Sequence, residues 1–194
     1  MNKFLIALTL GLISLLIYGC ATVTPNMLHS KPIMGEVVPE TGKALVIFIR
    51  PNELGYPIHA SVHDGDKLIG IVPYNQKLPY QAEPGHHLFM AVSEAADFMT
   101  ADLVAGKTYY VEVVPRMGAW RARFSLKPVT KEDLTKEEVK NWIETGRFIE
   151  NRQSAYEWEV NNKESILKKK DVYYAKWLKK PEQDRPHLKA EDGI

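Results

Sequence analysis

The chain has 194 residues, 45% of them apolar and 25% charged, with 25 Lys and Arg against 24 Asp and Glu. A balance this close to zero lacks the basic excess that phosphate-backbone binding requires, which argues against a nucleic-acid partner. The single cysteine excludes an intramolecular disulfide framework and any Cys-rich zinc or iron–sulfur site.

The chain opens Met1-Asn2-Lys3, continues through uncharged, mostly apolar residues from Phe4 to Tyr18, and reaches Gly19-Cys20. A positive start, an apolar run shorter than the roughly 20 residues of a spanning helix, and a small residue at its end are the parts of a secretory signal. The segment Leu16-Ile17-Tyr18-Gly19-Cys20 resembles the lipobox of bacterial lipoproteins, with Ile17 and Gly19 at its aliphatic and small positions and a bulkier Tyr18 between them. The resemblance implies a signal peptide over residues 1–19, cleavage after Gly19, and lipid on Cys20. The membrane is then the first partner. Ala21, where inner-membrane lipoproteins carry Asp, implies the outer membrane of a Gram-negative host, with the chain facing the periplasm.

Residues 20–42 hold Pro25, Pro32, Pro39, Gly35 and Gly42 without an apolar period, and predict a lipidated tether. As a flexible coil it would span roughly 25 Å.

Residues 43–128 read as strands. Ala44 to Ile49 is a continuous apolar run, too short for a helix and rich in β-branched residues, which predicts a central strand covered on both faces. Ile58 to His63 alternates, Asp64-Gly65 supplies a hairpin turn, and Lys67 to Val72 returns. Pro84-Gly85 opens a strand over His86 to Val92. Another covers Met99 to Leu103, turns at Ala105-Gly106-Lys107 and continues as Thr108 to Val114. The last places Trp120, Ala122, Phe124 and Leu126 inward. The fold class expected is mainly β with an α extension: a small antiparallel β-sandwich of about seven strands followed by C-terminal amphipathic helices.

Four segments carry a family resemblance: Ala44 to Pro51, Val62 to Gly70, Pro84-Gly85-His86-His87-Leu88 and Ala105 to Val111. In their order and spacing they resemble a bacterial lipoprotein domain of unknown function, related in style to PEGA-type β-sandwich modules. The resemblance implies a sandwich at the cell envelope and brings no catalytic residues or cofactor.

Residues 129–180 form a charged helical extension. From residue 128 onward 28 of 67 side chains are charged, against 17 of the 85 in residues 43–127. Capping-box spacings at Thr130–Asp133 and Thr135–Glu138 predict a helix over about Lys131 to Thr145, with Leu134, Val139, Trp142 and Ile143 on one side and a break at Gly146. Phe148 to Lys179 has no Gly or Pro. Ile149, Tyr156, Val160, Leu167, Tyr174 and Leu178 there predict one apolar face on a long helix or helix pair. Residues 181–194 are expected to be disordered.

No pattern of catalytic or metal chemistry emerges. His59 and His63 lie four residues apart on one strand face, about 13 Å, too far for one metal. His86 and His87, being neighbours, point to opposite faces. Ser61 beside His59 and His63 is no triad, and no Gly-rich phosphate loop precedes a helix. The reading is no enzyme, no metal and no cofactor. The candidate interaction surface is Lys168, Lys169, Lys170, Tyr173, Tyr174 and Trp177, where basic and aromatic side chains alternate. The function expected is a lipid-anchored, non-enzymatic binding or scaffolding role in the periplasm, with an envelope protein as partner. The alternative is a ligand-binding or hydrolytic sandwich acting on envelope polymer through the histidine face.

Overall fold

In the computed structural model, which describes residues 29–56, 58, 60–118 and 122–194, the chain is mainly β. Its strands in chain order are β1 (Ser30–Pro32), β2 (Ala44–Ile49), β3 (Ser61–Asp64), β4 (Lys67–Ile71), β5 (Gln76–Ala82), β6 (Gly85–Val92), β7 (Ala96–Leu103), β8 (Thr108–Arg116), β9 (Arg123–Pro128), β10 (Arg147–Asn151) and β11 (His187–Leu188). Helices α1 (Glu137–Thr145) and α2 (Gln153–Trp177) flank β10. Gly19, Cys20, His59 and Trp120 lie outside the described residues.

One sheet has the order β1-β10-β5-β2-β8-β9 and the other β11-β7-β6-β3-β4. Both are mixed rather than antiparallel: β2 runs parallel to β8, β10 to β5, and β11 to β7. Consecutive strands pair antiparallel as β3–β4, β6–β7 and β8–β9, whereas the three parallel pairs join strands that are far apart in the chain, their relative direction set by crossings between the sheets. Side-chain alternation reports a strand's faces but not its direction, which is why the sequence pattern suggested antiparallel pairing throughout.

β2 shows how the layers form. Val46 and Phe48 point between the sheets, where they meet Val62, Phe89, Met99, Val111, Phe124 and Leu126. Leu45, Ile47 and Ile49 point the other way, onto Trp142 and Ile143 of α1 and Phe148. The strand is buried along its whole length, as its unbroken apolar run requires. On the far side of the molecule, Met90, Val92 and Phe98 pack against Ile166 and Trp177 of α2. The result is four layers: α1, two sheets, α2.

The β3–β4 turn forms where Asp64-Gly65 predicts it. Asp64 pairs with Lys67, and Gly65 takes φ +57°, a backbone region that glycine enters without steric cost. β5 was not legible as a strand because Pro79 interrupts it. β10 accompanies β5 only at Gln76 and Lys77, so at Pro79 one edge of β5 has no neighbouring strand, where a proline is tolerated.

Three segments differ from expectation. The described end of the tether is not free: Ser30–Pro32 pairs with β10, Ile33 N donates to Phe148 O at 3.0 Å, and Gln81 holds Glu40 and Val38 through their backbones. The long helix begins later than expected, because Arg147–Asn151 is a strand whose Ile149 is fully buried between the sheets. The C-terminal residues are ordered. Leu188 is fully buried, and Ile194 exchanges both backbone hydrogen bonds with Thr108 at 2.8 and 3.0 Å. Residues 129–194 thus contribute two strands and core side chains to the sandwich.

Candidate functional site

α2 brings together most of the basic and aromatic residues singled out in the sequence. Its docked side carries Ala155, Trp158, Ile166, Tyr173 and Trp177, spaced by combinations of three and four residues. Tyr156, Val160, Leu167 and Leu178, expected to dock, are exposed instead. At 100° per residue the two stripes lie about a third of a turn apart, and the pattern alone did not choose between them.

The six residues of the expected interaction surface divide. Trp177 is buried at 4% exposure, with Tyr174 stacked on it at 5.8 Å and the Arg185 guanidinium over its ring at 5.2 Å. Tyr174 also meets Phe98 of β7 edge-on at 5.1 Å. Lys169 donates to the Ser93 carbonyl, and Lys170 pairs with Asp66 at 2.5 Å. Lys168 is exposed and Tyr173 half-buried. The aromatics and two of the lysines therefore fasten the helix to the sheet.

Beside Tyr173 and Trp177 a cleft of about 160 Å³ opens between α2 and the ends of β7, β8 and β9. Arg116, Arg123, Lys176 and Lys180 line it, with Asp97 between them. Asp97 receives Arg116 Nη2 at 2.9 Å and lies 3.5 Å from Lys180 Nζ, so one carboxylate holds two cations in place. Arg123 donates through Nε and Nη2 to Glu94 Oε1 at 3.0 and 2.7 Å. Lys176 forms no ion pair among the described residues; its ammonium lies 4.9 Å from the centre of the Tyr173 ring. Arg116 and Arg123 reach the cleft from strands far away in the chain from Lys176 and Lys180, so no local sequence pattern joins the four.

The described histidines other than His29 occupy three separate environments. His63 is fully buried on the α2 side, with Nε2 3.1 Å from Ser61 Oγ. That is the spacing of a nucleophile and its base, yet Ser61 is as inaccessible as His63. Desolvation holds the His63 imidazole down at a pKa of about 4, with Lys170 adding to the effect and Asp66 opposing it.

His87 points to the opposite face. Its Nδ1 lies 2.8 Å from Asp64 Oδ2 and its Nε2 2.7 Å from the Glu83 carbonyl. Both partners are acceptors, so the ring donates twice and is an imidazolium; the hydrogen bond to Asp64 raises its pKa. Burial works to raise the Asp64 carboxyl, but hydrogen bonds from His87 and from Tyr80 outweigh it and keep the group ionised. Neither ring nitrogen of His87 is left for a substrate proton. His86 bonds one oxygen of Asp102 at 2.8 Å, and His187 lies 3.3 Å from the other. Among the described residues no group of three His, Cys, Asp or Glu side chains is placed to hold a metal ion.

Arg50, inside the Ala44 to Pro51 segment, has a structural task. At 1% exposure it donates to the carbonyls of Gly55, Ile58, Leu54 and Val72 at 2.7, 3.0, 3.3 and 3.4 Å, and lies 4.5 Å over the Phe124 ring. Desolvation lowers its pKa to about 10. It fastens the 51–58 loop to the sandwich.

Comparison with protein-family models and with curated proteins finds no match to this chain.

Proposed function

We propose that this chain is a lipid-anchored protein of the bacterial envelope, attached through Cys20, whose folded part binds a partner rather than transforming a substrate. The observation that carries the anchor is the cysteine placed directly after the apolar run, behind Ile17 and Gly19. Cleavage after Gly19, an outer-membrane address and a resemblance to lipoprotein β-sandwich modules belong to the same reading.

The spacing of the chain supports it. Nine residue steps lead from Cys20 to His29, where the chain joins the start of α2 through the 2.8 Å bond from Arg152 N to His29 O. Fully extended, they reach at most about 30 Å, so the sandwich would sit close against the membrane that holds the lipid. Among the described residues no helix is long and apolar enough to cross a membrane.

A binding role is favoured by the cleft beside α2, a concave site with charged groups held in place on rigid elements. The histidine-face alternative is less favoured, because among the described residues His63 is buried on the α2 side, His87 points to the opposite face and His86 bonds Asp102. The anchor is tested by growing cells with labelled palmitate: the wild-type chain takes up label, and Cys20→Ala does not. Label retained by Cys20→Ala would overturn the anchor.

A further inference from the structure

Four cationic side chains, Arg116, Arg123, Lys176 and Lys180, surround the cleft, and Asp97 and Glu94 supply two carboxylates against them. The site keeps an excess of two positive charges in a near-neutral protein. Like charges gathered in a partly desolvated concavity repel one another, and an anion placed among them relieves that repulsion. The guanidinium fork suits the oxygens of a carboxylate or a phosphate, and Arg116 spends only Nη2 on Asp97.

A second observation points the same way. Trp177 lines the cleft, its indole N–H is buried, and among the described residues no acceptor meets it. A buried donor without an acceptor is costly, by about 1–3 kcal/mol, and is uncommon in a folded protein unless something outside the chain satisfies it. The size fits a small group: about 160 Å³ is below the roughly 300 Å³ at which pockets for larger ligands begin. It admits one anionic group and the first atoms of whatever carries it.

We propose that this cleft binds an oxyanion group, a phosphate ester or a carboxylate, displayed by an envelope molecule. Arg116 and Lys180, aligned by Asp97, form one wall; Lys176 supplies the cation with no carboxylate partner among the described residues, and Tyr173 and Trp177 supply the aromatic lining. The proposal deepens the binding role proposed above and rests on it.

The test is an NMR titration of the detergent-solubilised full-length chain with glycerol phosphate, glucuronate and, as a neutral control, glucose. The expected result is saturable shifts at Tyr173, Lys176 and Trp177 with at least one of the two anions and none with glucose; the preferred anion identifies the ester or the carboxylate. Lys176→Met and Arg116→Met each weaken that binding about tenfold, Lys168→Met leaves it unchanged, and 0.5 M NaCl weakens it by screening. A folded wild-type chain that binds neither anion overturns the proposal, as does affinity unaltered in both Lys176→Met and Arg116→Met. Palmitate labelling is read separately, so the anchor and the oxyanion site can fail independently.

Discussion

Lys170 on α2 and Asp66 at the β3–β4 turn form a 2.5 Å ion pair between residues 104 positions apart in the chain. The pair closes the helix over the hairpin, and His63 lies on the covered face of that hairpin. Lys170 thus has two effects: it fastens α2, and its charge adds to the desolvation that keeps the imidazole neutral.

Acid sensitivity follows from that burial. The folded state holds His63 at about 4, whereas an unfolded chain binds the proton near 6.5. Between those values the unfolded state carries more protons, so stability falls as pH drops from 6.5 toward 4. His87 acts oppositely, since its raised pKa adds stability that is full below 6.5 and lost as pH rises through the folded value. Replacing His63 by Gln is expected to spare the chain roughly 2 kcal/mol of the loss between pH 7 and pH 5, by 1.36 kcal/mol per unit. Urea midpoints of the two proteins at both pH values give the comparison; identical losses would remove His63 from the account.

Arg50→Met leaves the carbonyls of Gly55 and Ile58 without their donor inside the protein. The expected destabilisation is about 3 kcal/mol or more. Lys keeps the charge but cannot reproduce four donations spread over two nitrogens, and should fall between. Gly55 cannot adapt by gaining a side chain, because a Cβ there would lie 2.5 Å from Ala122 Cβ. A loss below 1 kcal/mol for Arg50→Met in urea unfolding would contradict the clamp.

Truncation after Arg185 removes the fully buried Leu188, the Thr108–Ile194 backbone pair, and the Ala190 carbonyl that receives Lys107 and Tyr109. Losing a buried leucine alone costs about 2–5 kcal/mol. For a domain of this size the melting temperature should drop by roughly 10 °C. The intact chain should also resist trypsin at Lys189 under native conditions. Rapid cleavage there would restore the expectation of a disordered end.

Trp177→Ala empties the contact between α2 and β7, taking away the ring stacked on Tyr174 and packed with Phe98. About 3–5 kcal/mol is expected. Tyr156→Ala, on the exposed stripe of the same helix, should change stability by less than about 0.5 kcal/mol. Thermal melts of the two variants separate the docked face from the open one, and equal effects would mean the faces are misassigned.

Features encoded within a few residues were legible: the doubly covered β2, the Gly65 turn, β6 opening at Gly85, and the end of α1 at Gly146. Propensity, turn chemistry and side-chain period act over that range. What depended on distant partners was not. β10 reads as the start of a helix because Phe148 to Asn151 contains no helix breaker, and only its place between β1 and β5, with Ile149 buried between the sheets, makes it a strand. Pro79 hid β5 until the shortness of β10 explained it.

By itself, then, the sequence determined the class of the fold, the positions of most strands and turns, and the apolar run ending at Cys20 on which the anchor proposal rests. Tertiary structure decided which of two apolar stripes on α2 docks, and so which cations it uses up and which it leaves around the cleft. Period and composition describe a helix's faces equally well before and after docking. The choice belongs to shape: Met90, Val92 and Phe98 offer a surface that Ile166 and Trp177 fill. That packing carries Lys176 and Lys180 to the same concavity as Arg116 and Arg123.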